Sequence, residues 1–457
     1  MRGAGMCQAR RSPVAPGEDA MRRLVLVLIA SLASLAARAA DLPHYDKFVH
    51  LGVTSCAGST CHGAVEPFKN SNVEQNEYIT WSRKDPHAKA YKVLLEERSQ
   101  RMARNLGLPD AHTADICLDC HADNVDAARR GRQFQMADGV GCEACHGGSS
   151  GWLGIHISGA SHADNLKAGL YPTEDPVARA ELCLSCHYGN NQKFVSHRLM
   201  GAGHPRIGFE LDTFTATQPA HFVIDKDYVQ RKFQPNGVQI WAIGQAMSLA
   251  RTMESMLDAK LNPNSVFPEL VFFDCHACHH PMSDLRWSAR PSVGLGPGVI
   301  KFNDSNAIML RLIAARVAPE AAKALGEKMR AMHFAVGESR DETRRLAGEI
   351  RVVARQLVEA FGRHEFGRAD MQALLAGVIA DGEAQEFIDF ASAEQATMAI
   401  SSIVNAMKAA GHVSDDVFVA MNAALQKLNA AVEKDEAYRA PAYRLALKDF
   451  EKTAPKP

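Results

Sequence analysis

Polar and apolar positions divide this chain into unlike stretches. Leu24 to Ala36 is an apolar stretch of thirteen residues, preceded by Met21-Arg22-Arg23 and followed by Ala37-Arg38-Ala39. A short basic start, an apolar stretch and an A-x-A pattern predict a secretory signal peptide over 1–39, with Met21 the true start and cleavage near Ala39. The stretch is too short to span a bilayer comfortably, and no second one approaches about 20 residues. The far end of the chain reads differently. From about Asn306, Leu346, Ile350, Val353, Leu357 and Phe361 step at i, i+4, i+7, i+11 and i+15, one face of an amphipathic helix that Gly362 should end. Ile400, Ile403 and Met407 repeat the pattern. Gly411 then supplies a stop, and Ser414 an N-cap for a helix carrying Val417, Met421 and Leu428. Residues 306–457 are therefore expected to form antiparallel helices.

Between these two regions the spacing is irregular. Trp81 to Arg104 and Ile240 to Leu261 are the longer helices it predicts, and no run of alternating strands is present, so any sheet should be minor. The whole has an ordinary globular composition: 457 residues, 46% apolar, 51 basic against 52 acidic side chains. No Lys/Arg cluster gives a footprint for nucleic acid, so no nucleic-acid partner is expected. Cleavage near Ala39 removes six basic and two acidic residues, leaving a net charge of −5.

Cysteine and histidine carry the chemistry. Beyond Cys7, ten cysteines fall into five close pairs, each followed at once by histidine. They are Cys56/Cys61-His62, Cys117/Cys120-His121, Cys142/Cys145-His146, Cys183/Cys186-His187 and Cys275/Cys278-His279. C-x-x-C-H is the signature of c-type haem attachment. Two thiols bind the two vinyl groups of one porphyrin edge, and the adjacent histidine lies beneath the ring as the proximal iron ligand. Zinc knuckles need ligand pairs at regular spacing without a histidine behind each. A thioredoxin-like site carries one pair beside a βαβ pattern, absent here. The first pair has a four-residue gap, for which a disulfide is the alternative reading. Five covalent haem c groups are expected, in a periplasmic protein.

The stretch from about Lys47 to Asn191 resembles the tetrahaem cytochrome c-554 family of electron carriers. The likeness rests on Trp81-Ser82-Arg83-Lys84-Asp85-Pro86-His87-Ala88-Lys89-Ala90 and on Gly139-Val140-Gly141-Cys142-Glu143-Ala144-Cys145-His146-Gly147, the more specific of the two. It covers about a third of the chain. The long first attachment loop, the fifth motif and the motif-free C-terminal third depart from the family's pattern. The resemblance implies distal iron ligands at His87 and His156. Further along, His162, His197 and His204 sit in Gly- and Ser-containing loops near the motifs. Met200-Gly201-Ala202-Gly203-His204-Pro205 would let backbone approach a porphyrin closely. His197 and His204 join the candidate distal set. His333, His364 and His412, far from any motif, are expected to face solvent.

These readings imply a mainly α fold in which short helices and loops wrap haems. A pentahaem domain over 40–290, a linker over 291–305 and helices over 306–457 are expected. The function expected first is electron transfer between exported redox proteins, a donor and an acceptor, with association to a membrane complex compatible. No catalytic residue is assigned. An oxidoreductase acting on a small nitrogen or sulfur compound at one open iron is the alternative, through a similar motif in pentahaem nitrite reductases and hydroxylamine oxidoreductase. Against it, all five motifs end in histidine where the nitrite reductases usually carry lysine at the catalytic haem. None of the eight tyrosines can be assigned the cross-link of hydroxylamine oxidoreductase. A role for the C-terminal helices in docking is a third reading.

Overall fold

The computed structural model describes residues 41–455 except 70, 72, 263–266, 281–288 and 291. The expected signal peptide lies outside the described residues. Among those described the regular structure is helical, and the extended pairings are three isolated bridges: His50 with Arg130, Gly189 with Phe194, and Phe273 with Phe302.

Helices in the first half are short. The helix expected from Trp81 to Arg104 is broken into α1 (Glu77–Lys84), a 3₁₀ turn (Pro86–Lys89), one α-turn (Ala90–Val93) and α2 (Glu97–Leu106). Pro86 is the cause. The residue before proline is driven out of the helical region, and Asp85 is extended, its carboxylate capping the His87 N–H at 2.9 Å. Farther on, α3 (Pro176–His187) starts with proline at its first position under an Asp175 cap.

α4 (Gly237–Leu257) begins three residues before the expected start and ends at Asp258. Asn236 caps it, accepting from Gln239 N at 2.9 Å. It is apolar on nearly all sides and buried on nearly all sides, the mark of a central helix. Around it come α5 (Ser305–Val317), α6 (Pro319–Glu338), α7 (Arg340–Arg363), α8 (Arg368–Glu383), α9 (Phe390–Ala409), α10 (Asp415–Ala431) and α11 (Ala440–Glu451).

α7 lays Leu346, Ile350, Ala354, Leu357 and Phe361 against the core, so Ala354 takes the inward place expected for Val353, which is only partly buried. Gly362 does not end α7 but sits in its last turn. The Gln239 side-chain amide donates to the carbonyls of Phe361 (3.0 Å), Gly362 (3.2 Å) and His364 (3.2 Å), which satisfies the helix end without glycine. Ser414 caps α10 through Val417 N, and Gly411, at φ +68°, follows α9.

The described residues from Leu42 onward form one compact unit. One hydrophobic cluster runs from Ala180 to Phe450, and Phe302 of the segment expected as a linker is fully buried in it. Among the described residues before Ala180, the other cluster is Leu94, Ala103, Ala111, Leu118 and Ala122. The first part of the unit therefore has little apolar core made of side chains alone.

Candidate haem sites

A turn of helix brings residues i, i+3 and i+4 to one face, which is what C-x-x-C-H needs to hold one flat ring. Cys117–His121 and Cys142–His146 are helical, and Cys183–His187 closes α3. At the fifth motif Cys275–Ala277 is a 3₁₀ turn, and His279 N donates to Cys275 O at 2.7 Å. The first motif, with two extra residues, is a loop that recovers the same closure: His62 N donates to Cys56 O at 3.1 Å. Gly63 permits it, since a Cβ there would stand 1.9 Å from Ala57 O. All ten cysteines are free thiols, Cys56 and Cys61 included.

Each motif histidine faces one other histidine. Ring centres are 6.0 Å apart for His62 and His156, 6.5 Å for His121 and His204, and 6.3 Å for His146 and His221. They are 6.0 Å apart for His187 and His87, and 5.9 Å for His279 and His197. Two metal–imidazole bonds of about 2 Å, with each nitrogen about 1.1 Å from the centre of its five-membered ring, place two axial imidazoles about 6 Å apart. The gaps match one iron between each pair.

Hydrogen bonds turn these rings. Nδ1 of His62 meets Glu77 Oε2 at 2.9 Å and Nδ1 of His87 meets Asp85 Oδ1 at 2.9 Å. Nδ1 of His121 donates to Ala90 O at 3.1 Å, and Nδ1 of His204 to Pro205 O at 2.8 Å. With Nδ1 engaged, Nε2 is left for a metal, the usual outer-shell arrangement of ligating histidine. Burial pushes His146 down to about 3 and lowers His156, His187, His204 and His221, which keeps these imidazoles in the neutral form a metal requires. The Glu77 and Asp85 carboxylates instead raise His62 and His87. Asp85 is itself held down at about 2: burial opposes this, but hydrogen bonds from His87 and Gln218 outweigh it.

The apolar surroundings fit porphyrins as well. Large hydrophobic side chains left exposed crowd the motif-bearing half, among them Phe68, Ile116, Ile155, Phe222 and Phe233. Exposed apolar side chains around motifs that lack a core of their own are the lining that a large flat apolar group would cover.

The sites are also neighbours. The Cys186 thiol of the fourth motif donates to Asp119 O of the second at 3.8 Å. Buried Lys193 donates to Asp119 O at 3.0 Å and Cys186 Sγ at 3.2 Å, tying the second motif to the fourth. Glu143, 3% exposed, accepts from Leu51 N (2.8 Å), Gly52 N (2.7 Å) and Ser149 N (2.7 Å), tying the third motif to the strap before the first.

Of the distal candidates, His87, His156, His197 and His204 all face a motif histidine. His221 faces one too and was missed by the sequence reading; the signal was arithmetic, five motifs against four named partners. His162 turns its Nε2 to Glu174 Oε1 at 2.6 Å instead. His333, expected at the surface, is 1% exposed and bonded to Asp304 Oδ2 at 2.9 Å. Its partner Asp304 also pairs with buried Arg290, so α6 turns this ring inward to a buried ion pair.

Residues 55–147 match the model of the family described as cytochrome c554 and c-prime, about a fifth of the chain, covering the first three motifs and His87. Comparison with curated proteins and with solved structures gave no match. The chain resembles the c-554 family over these residues, and the match supports a multihaem c-type cytochrome, with covalent haem c and a redox role. Among the described residues, no helix is long and apolar enough to cross a membrane.

Proposed function

We propose that the protein is an exported pentahaem electron carrier, passing electrons one at a time between a donor and an acceptor protein. The observation that carries this reading is the pairing of all five motif histidines with a second histidine at 5.9–6.5 Å. The cysteine pairs would hold five haems, with His62, His121, His146, His187 and His279 as proximal ligands. His156, His204, His221, His87 and His197, in the same order, would be the distal ones. When bound, such a haem supplies a one-electron couple at iron.

The polypeptide's part is to fix spacing and tune each couple. Glu77 and Asp85 add electron density through the rings they touch. The remaining Nδ1 bonds to carbonyls hold ligand orientation. A net charge of −5 after export, with two propionates per haem, favours a partner with a basic face and slows association as salt rises. The oxidoreductase alternative requires one iron with a free side. The paired rings speak for carriage.

Carbon monoxide tests the choice, because it binds ferrous haem only where a coordination position is open. The reduced protein is expected to keep its absorption spectrum under carbon monoxide. A spectral change amounting to one haem per chain would favour catalysis at an open iron and overturn the carrier reading.

A further inference from the structure

The fifth motif has no counterpart in the resembling family, and the structure sets one side of it, at His276, against the C-terminal region. Asp435, in the short 3₁₀ turn Asp435–Ala437 between α10 and α11, meets two side chains from distant segments. Its Oδ1 lies 3.1 Å from Nε2 of His276, which stands between the two cysteines of the fifth motif. Its Oδ2 lies 3.5 Å from Nε of Arg206, two residues past His204, the ring that faces the second motif's His121.

Arg206 is gripped from its other side. Both Glu394 oxygens accept from it at 2.9 Å, and its guanidinium lies 5.0 Å from the centre of the Phe390 ring; both residues belong to α9. The same stretch carries both facing rings: His197, opposite His279, opens the turn His197–Gly201 that leads to His204. Side chains of α2 hold the backbone of this stretch, with Asn105 Nδ2 donating to Ala202 O at 3.1 Å and Arg98 Nη2 to Gly203 O at 3.2 Å.

Hydrogen bonds order the other sites as first, third, fourth, second: Glu143 ties third to first, Val140 N before the third motif donates at 3.1 Å to the carbonyl of His87, the ring opposite His187 of the fourth, and Lys193 ties fourth to second. Among the ten cysteines only Cys61 and Cys278 are exposed, one in the first motif and one in the fifth. A chain of sites that ends at the first and the fifth is the one order that puts both exposed edges at its ends.

We propose that Asp435 and Arg206 form a positioning clamp that seats the fifth haem site against the second, making it the outer terminal of the electron path. The C-terminal helices are then the frame of that terminal. Because Asp435 touches no iron ligand, it acts through the loop that holds His279 and the stretch that holds His197 and His204.

This inference rests on the pentahaem reading, and the test separates the two. Low-temperature EPR and a potentiometric titration would be recorded on the unmodified protein, on Asp435→Ala and on Asp435→Glu. His204→Ala and His197→Ala, each expected to turn one iron high-spin, assign the second and fifth signals. Asp435→Ala is expected to keep five haems while shifting the signals and midpoints of the second and fifth irons alone, and Asp435→Glu to restore them. No shift, a shift in a single iron, or a shift spread over all five overturns the clamp. Should Asp435→Ala load fewer haems, Asp435→Asn, which keeps the shape, must show the same two-iron shift or the clamp fails. Failure of the carrier reading looks different: fewer than five haems, or a high-spin iron, in the unmodified protein.

Discussion

The ring of His221 stands 6.3 Å from that of His146 and nearly perpendicular to it, at 87°. His146 is reached from a five-residue helix and His221 from the loop after Leu211–Thr217, so the pair closes a site that no local stretch of sequence contains.

His221→Ala should therefore leave the third iron with one axial ligand. EPR of the oxidised variant is expected to show one high-spin iron per chain beside four low-spin ones, at unchanged haem content. An all-low-spin spectrum would mean that a different side chain serves the third site.

Glu77 sits on Nδ1 of His62 at 2.9 Å and makes that imidazole a stronger donor. A stronger donor stabilises the oxidised iron, so Glu77→Gln should raise the midpoint of a single haem. The expected size is tens of millivolts, on a scale where a tenfold change in equilibrium is about 59 mV for one electron. A spectroelectrochemical titration reads it, and a downward shift would contradict the assignment.

Glu143 concentrates three backbone N–H donors on one buried carboxylate. Glu143→Gln turns an amide toward donors, leaving at least one N–H without an acceptor, at about 1–3 kcal/mol. Thermal unfolding should begin several degrees lower, with the first and third sites loosening together. An unchanged melting curve would show that the strap before Cys56 is held by other contacts.

The helical region predicts its own pH dependence. Burial opposes the charge on Asp304, yet Arg290, His333 and Lys301 outweigh it and hold its carboxyl well below the usual carboxylate range. A carboxyl depressed by folding contributes stability above its unfolded value of about 3.9, and that stability is lost as pH falls below it. Asp304→Asn takes from Arg290 its nearest carboxylate, leaving Asp389 at 3.8 Å and Glu386 at 4.0 Å, and should cost about 1.5–3 kcal/mol near neutrality. The gap between variant and parent in denaturant midpoints should narrow as pH drops below about 4. A gap that stays constant with pH would remove Asp304 from the network.

Much of this was readable from the chain, for physical reasons. C-x-x-C-H is local chemistry, so the motifs need no fold to be seen. The 3.6-residue period gave the α7 and α10 faces, because those helices bury one side against a core. Four of the five facing histidines lie near small residues or in the family-like stretch, where backbone can approach a flat group. His221, in Gln218-Pro219-Ala220-His221, carries no such mark, and only its distance to His146 singles it out. Propensity also misread residues 81–104, where Pro86 overrides a good helical pattern. The burial of His333 depends on Asp304 and Arg290, distant in sequence, so no window of sequence contains it.

The most direct test of the central claim is low-temperature EPR of the oxidised protein, quantified against haem content from a pyridine haemochrome assay. Five haems per chain with every iron low-spin is the predicted result, each iron held between two of the paired histidines. One stoichiometric high-spin iron, or fewer than five haems, would contradict it.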